Sequence, residues 1–191
     1  QRANRVAIVV PDLAERRPAL EQALSEAFFP GLSPKQIEAR PTLWNISLGQ
    51  ALTQLPMAQT AQLLLRLRLG KLPVRDITRL LLSRYCAGGE SEVEYRAGLD
   101  ADRRLREHSD IGLDDLLSLT IGSKRAFALQ KALKTMQGVT LAESALPSVW
   151  AAQFAKLLEG AGWPGEQSLD SEEYQQAESI RQALATLAHL D

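Results

Sequence analysis

Residues Leu55–Leu69 read LPMAQTAQLLLRLRL, and this leucine-rich stretch decides the fold class. It predicts a helix that ends at Gly70, because glycine is favoured just after the last helical residue. The next segment, Pro73–Tyr85, predicts a second helix whose apolar residues fall on one face. Two helices in direct succession favour a mainly α protein.

Helical patterns continue toward the C-terminus. The predicted helices cover Leu113–Leu119, Ser123–Met136, Pro147–Ala161 and a last segment that Asp170 caps and that runs to about Leu190. No strand is predicted from Gly49 onward, and apolar heptads are not sustained, which argues against a coiled coil. Residues 49–191 are therefore expected to form an irregular helical bundle.

The N-terminal residues have a different pattern. Arg5–Val10 is a short, continuously apolar run rich in β-branched residues, and it predicts a strand buried on both faces. Leu13–Phe28 follows with helical spacing, and Thr42–Ser47 predicts a second strand. Strand, helix and strand would form a βαβ unit with parallel strands. The predicted fold class is mainly α with a small β part, as a fragment of a larger protein.

Composition excludes several classes of protein. The chain has 191 residues, a net charge of −1 and a single cysteine, Cys86, so an internal disulfide is impossible. No apolar run is long enough to span a membrane, and the N-terminal residues do not resemble a signal peptide. We expect a cytoplasmic protein without membrane contact. Near-zero net charge gives no global attraction to nucleic acid.

Signatures of catalysis are mostly missing from the sequence. It contains neither a phosphate-binding P-loop nor a GxGxxG motif, and His108 and His189 have no metal-ligand spacing. Asp12, Glu38 and Arg40 loosely resemble the acidic signature of PD-(D/E)xK nucleases, but arginine replaces the lysine and is a poor proton-transfer group. We therefore predict no catalytic residue, no metal site and no cofactor within this chain.

Basic residues are segregated along the chain. Six of them lie between Arg66 and Arg84, opposed only by Asp76, whereas the region from Glu159 to the C-terminus is acidic. Such clustering could place a local basic surface on a phosphate backbone, although solvated helix faces would give the same pattern. The predicted DNA-contacting residues are Arg66, Arg68, Arg75, Arg79, Lys124, Arg125, Lys131 and Lys134.

Three stretches resemble a known family. Residues 6–24 (VAIVVPDLAERRPALEQAL) resemble the motif IV region at the start of domain 2A in superfamily 1 helicases. Residues 43–67 (LWNISLGQALTQLPMAQTAQLLLRL) and 80–107 (LLLSRYCAGGESEVEYRAGLDADRRLRE) resemble segments around the helical 2B insertion of AddB- and RecB-like proteins. The resemblance covers residues 5 to about 107, and Leu146–Leu190 more loosely.

The resemblance implies a DNA repair protein with a degenerate helicase-like body and a nuclease domain elsewhere. Residues 1–48 would be the end of a 2A subdomain, and residues 49–191 a 2B-like domain. Pro11 and Asp12 stand where active helicases generally place an arginine, which implies a segment that does not hydrolyse nucleotide.

The predicted function is to guide DNA, or to support the other domains of the parent chain and a helicase or nuclease partner subunit, during the processing of broken ends. The alternative is a helical protein-interaction module with no role in nucleic-acid binding. A stand-alone enzyme is disfavoured, because no acid, base or metal-ligating groups are spaced to converge.

Overall fold

The computed structural model describes residues 6–33, 36–37, 40, 43–44, 46, 51–123 and 125–191. The chain divides into two compact units, Gln1–Gln50 and Ala51–Asp191. The first unit contains helix α1, Leu13–Phe28, which has the bounds that the sequence predicts. Trp44 packs against Phe28 and Phe29, with ring centroids 5.9 Å and 6.0 Å apart.

The predicted N-terminal strand is wrong for the residues that can be tested. Val6–Val10 form no strand, and Val6, Ile8 and Val9 are largely exposed. A strand needs a neighbour to pair its backbone N–H and C=O groups, and no strand lies beside this segment in the described part of the first unit. The second predicted strand, Thr42–Ser47, falls partly outside the described residues, and its described residues are not in a strand.

The second unit is a helical bundle with a very small sheet, so the prediction of a mainly α protein with a small β part is confirmed. Its elements, in chain order, are a 3₁₀ turn at Leu52–Gln54, α2 (Pro56–Leu69), β1 (Leu72–Pro73), α3 (Val74–Leu81), α4 (Val93–Asp100), α5 (Arg103–Arg106), β2 (Asp110–Ile111), α6 (Leu113–Thr120), α7 (Phe127–Gly138), α8 (Pro147–Gly160) and α9 (Ser171–Ala188).

The small sheet corrects the expectation that no strand follows Gly49. β1 and β2 pair antiparallel, with Leu72 opposite Ile111 and Pro73 opposite Asp110. Leu72 and Ile111 are almost fully buried, so the pair anchors the start of α3 to the core. Strands of two residues have no measurable alternation, which is why the sequence pattern does not predict them.

The core is built around α2. Its apolar face contributes Met57, Leu64 and Leu67, which are all buried, and α8 and α9 pack against this helix. The indole N–H of Trp163 donates to the backbone oxygen of Met57 at 3.1 Å, so a polar atom inside the core is satisfied. This packing fixes α2, which supplies one wall of the groove described below.

Arg96 fixes the end of α3. Its side chain is 1% exposed and reaches back from α4 to the last turn of α3. The guanidinium donates to the oxygens of Leu81 (2.8 Å), Leu80 (2.6 Å) and Ala87 (2.9 Å). The last carbonyl groups of a helix lack partners within the helix. The buried guanidinium donates to those of Leu80 and Leu81, and its positive charge is stabilised at the negative end of the helix dipole.

Candidate functional site

A groove of about 750 Å³ runs between α2 and α3. Gln59, Gln62 and Arg66 line it from α2, and Arg75 and Arg79 line it from α3. Arg84 and Tyr85, from the turn that follows α3, lie along it as well. The groove therefore collects four arginines that the chain sequence spreads over 19 positions.

A single carboxylate, Asp76, joins three of these arginines. Its Oδ2 lies 3.4 Å from Nη1 of Arg66, and its Oδ1 lies 3.5 Å from Nη1 of Arg79 and 4.0 Å from Nε of Arg75. The Asp76 side chain is only 7% exposed, whereas those of Arg75 and Arg79 are 81% and 71% exposed. The negative charge thus lies at the floor of the groove and the positive charges at its mouth.

The position of Asp76 in its helix explains how it tolerates burial. Asp76 lies in the first turn of α3, where the helix dipole favours a negative side chain. Arg79 follows it by one turn and therefore lies on the same face. The contact with Arg66 comes from the other helix, so the carboxylate bridges α2 and α3 across the groove floor.

Arg84 and Tyr85 have acidic neighbours. Arg84 lies 3.6 Å from carboxylate oxygens of both Glu90 and Glu173, and its Nη2 donates to Gln167 at 3.1 Å. The Tyr85 hydroxyl donates to Glu173 at 3.1 Å. Burial raises the pKa of Tyr85, and the hydrogen bond to Glu173 raises it further, so the phenol stays neutral near pH 7. It adds no negative charge to the groove.

Arg68 is separate from this groove and has a structural partner. Its Nε donates to the oxygen of Met136 at 3.1 Å and its Nη2 to the oxygen of Val139 at 2.8 Å. These carbonyl groups lie at the C-terminal end of α7, where a cation is favoured. The guanidinium joins α2 to α7, so Arg68 is not part of the candidate surface.

The other predicted residues that the structure describes are not brought to the groove. Arg125 is exposed and lines a different depression, between α4 and the end of α6. Lys131 and Lys134 are exposed on α7, and neither lines the groove. Lys124 lies outside the described residues. Three of the eight predicted residues, Arg66, Arg75 and Arg79, therefore form one basic cluster.

Sequence reasoning missed two members of the groove. Arg84 belongs to the same basic run but was not among the predicted contacts, and Asp76 was only the acid that opposes the run. The spacing of Asp76 and Arg79 would have placed them on one helical face. The approach of Arg66 from α2 depends on tertiary packing, for which the sequence pattern gives no signal.

The second depression has a different character. Val93 and Ile121 line it and are more than half exposed, and Phe127 at the start of α7 is also exposed. Its charges are mixed, since Arg104 forms a 2.8 Å ion pair with Asp102. That contact lowers the pKa of Asp102, whose side chain also caps α5. This surface combines exposed apolar side chains with paired charges.

The described residues contain neither a metal-binding cluster nor a helix that could span a membrane. Among the described residues, no three His, Cys, Asp or Glu side chains converge to hold a metal ion. Within the same residues, no helix has the length and apolar content to cross a bilayer. No protein-family model, curated protein or solved structure matches this chain. The resemblance to AddB- and RecB-like proteins therefore stays a prediction.

Proposed function

We propose that the helical unit, residues 51–191, is a non-catalytic DNA-guiding module of a cytoplasmic DNA repair protein related to helicases and nucleases. The observation that supports DNA binding is the groove between α2 and α3, which is lined by four arginines, three of them around one buried carboxylate. The assignment to a repair protein that processes DNA ends rests on the sequence resemblance alone.

Arginine suits this task for physical reasons. Its planar guanidinium presents several N–H donors and matches the oxygens of a phosphate group, often with two parallel hydrogen bonds. Arg75 and Arg79 are mostly exposed, so a phosphate can reach them without displacing other protein groups. The groove would therefore contact the DNA backbone.

The groove is poorly suited to reading bases. Tyr85 is its one aromatic residue among the described residues, and the hydroxyl of Tyr85 is engaged by Glu173. Binding of single strands through bases usually requires several aromatic side chains on which successive bases stack. Contacts to phosphate fix the position of a protein on DNA without specifying its sequence. We therefore expect binding that depends on salt and hardly on base sequence.

The lysines on α7 could add a second contact. Lys131 and Lys134 are one turn apart and both exposed, so they can reach the same phosphate backbone. Arg125 precedes this helix and is exposed as well. We assign these three residues a secondary role, because no carboxylate in the described structure gathers them into a cluster as Asp76 does for the groove.

Binding to unrelated DNA sequences tests this proposal. The full chain is titrated against two labelled duplexes of unrelated sequence, each with a single-stranded tail, and fluorescence anisotropy is followed across a salt series. The proposal predicts similar affinities for both duplexes and a linear fall of log affinity with log salt. Failure to bind either duplex at low salt would remove the DNA-guiding role.

A protein-interaction module is the second candidate function. The exposed apolar residues Val93, Ile121 and Phe127 support it, because exposed apolar surface rimmed by polar residues marks many docking sites. The substitution Phe127→Ser would then abolish capture of a partner subunit while leaving DNA affinity unchanged. Loss of DNA binding in Phe127→Ser with retained folding would argue against two separate surfaces.

A further inference from the structure

We infer that Asp76 sets the strength of the basic groove, acting as an internal counter-ion that weakens phosphate binding. This inference rests on the proposed function, because it concerns how strongly the same groove binds DNA. The carboxylate is the shared neighbour of Arg66, Arg75 and Arg79. It would lower the affinity for phosphate through its own negative charge.

The depth of Asp76 prevents an incoming phosphate from displacing it. Its side chain is 7% exposed and lies on the first turn of a helix whose start is anchored by the β1–β2 pair. The three arginines have long, flexible stems and exposed heads, so they can turn part of their donors outward. A bound phosphate would therefore share the guanidinium groups with Asp76, and the two negative charges would lie on opposite sides of them.

Two effects of Asp76 oppose each other. Its negative charge repels phosphate, and its contacts hold the arginines in place before DNA arrives, which reduces the entropic cost of binding. The contact distances of 3.4 to 4.0 Å are longer than the 2.7–2.9 Å of a good charge-assisted hydrogen bond. The arginines are therefore only weakly restrained, and the repulsion of phosphate should be the larger effect.

Among the described residues, the charged groups that pair with Asp76 are all arginines. Arg66 reaches it from α2, and Arg75 and Arg79 reach it from α3. No second carboxylate pairs with these three arginines in the described residues, so removing the charge of Asp76 would leave the cluster uncompensated. The expected consequence is a groove that binds phosphate more tightly, with the largest gain at low salt.

The test compares Asp76→Asn with the wild-type full chain in binding to a labelled DNA duplex. We expect about fivefold tighter binding at low salt, the ratio that corresponds to one unit charge a few ångströms away in a high-dielectric medium. The matched control is Asp114→Asn, which makes the same change of net charge at an exposed position on α6 outside the groove. The control should leave the affinity within a factor of two of wild type.

A second comparison asks whether Asp76 acts within the arginine cluster. In the Arg75→Ala/Arg79→Ala background, the gain from Asp76→Asn should fall to less than half, because the phosphate no longer approaches this part of the groove. An equal gain in both backgrounds would overturn the inference, and so would equal affinity of Asp76→Asn and wild type. No binding by the wild type even at low salt would overturn the proposed function itself.

The wild-type chain offers a measurement that does not depend on how well Asp76→Asn folds. In an NMR titration with inorganic phosphate, the Nε–Hε signals of Arg66, Arg75 and Arg79 should shift together, along with the carboxyl carbon of Asp76. Shifts confined to other arginines, such as Arg103 or Arg104, would contradict the placement of the anion beside Asp76.

Discussion

Nη1 of Arg66 lies 3.4 Å from Oδ2 of Asp76, so one charge contact joins the last turn of α2 to the first turn of α3. The carboxylate is buried and the guanidinium is about half exposed. This contact lies at the floor of the groove, and the exposed side chains of Arg75 and Arg79 give the groove its positive mouth.

Arg96 gives the clearest prediction about stability. The substitution Arg96→Leu should lower the free energy of unfolding by about 3 kcal/mol, because the carbonyl groups of Leu81 and Ala87 lose the donors that the buried guanidinium supplies. Arg96→Lys should recover only part of the loss, since an ammonium group cannot reproduce the planar fork of donors. Urea unfolding measures both effects.

An exposed arginine supplies the control for that experiment. The Arg103 side chain is 90% exposed and pairs with Glu107 one turn away, so Arg103→Leu should change the free energy of unfolding by less than about 0.5 kcal/mol. If Arg96→Leu were as mild as Arg103→Leu, the structural role given to the buried guanidinium would be wrong.

Glu92 caps α7 from outside that helix. Its carboxylate accepts from the backbone N–H groups of Ala128 (2.5 Å) and Leu129 (3.0 Å). The variant Glu92→Ala should therefore cost about 1–2 kcal/mol of stability, because two orphan donors and a favourable dipole contact are lost. Chemical denaturation provides the measurement. Glu94→Ala, at an exposed neighbouring position, is the matched control and should be nearly neutral.

The contacts of Glu166 predict that the stability of the fold depends on pH in the acid range. Partial burial opposes its ionisation, but N–H groups of Ser91 and Gly88 and the Ser91 hydroxyl bind the carboxylate and lower its pKa below the usual range. A carboxyl group with a lowered pKa in the folded state stabilises the fold above its unfolded pKa, about 4.3, and loses this effect as the pH falls through the folded pKa.

The variant Glu166→Gln isolates this contribution. At pH 7 it should be less stable than wild type by about 1 kcal/mol, a value kept small because the group is largely solvated. The difference between the two proteins should shrink below about pH 4. Thermal melting curves across this pH range measure it, and a difference that stays constant would contradict the assignment.

The observed helices match the sequence-based predictions closely where local signals are strong. α1 has the predicted bounds, and Asp170 caps α9 as expected by accepting from Glu172 (2.9 Å) and Glu173 (2.8 Å). α3 is predicted to end at Tyr85 but ends at Leu81. The Arg96 side chain donates to the carbonyl group of Leu81 at this end of the helix. That contact comes from a later segment, so no local pattern could have predicted it.

The candidate site was only partly predictable for a related reason. Arg66 and Arg68 belong to one basic run, but they are two residues apart and therefore leave α2 on different faces. Arg66 turns to Asp76, and Arg68 turns to the carbonyl groups at the end of α7. Charge clustering along the sequence identified the run, but packing decides which arginines face solvent and which hold helices together.

The most direct test of the groove is the salt dependence of DNA binding by Arg75→Ala/Arg79→Ala. The wild type is compared with this variant and with Arg103→Ala/Arg181→Ala, which removes two exposed arginines outside the groove. If each groove arginine contacts one duplex phosphate, the slope of log affinity against log salt should become shallower by about two in the groove variant and stay unchanged in the control. An unchanged slope in Arg75→Ala/Arg79→Ala would contradict the account.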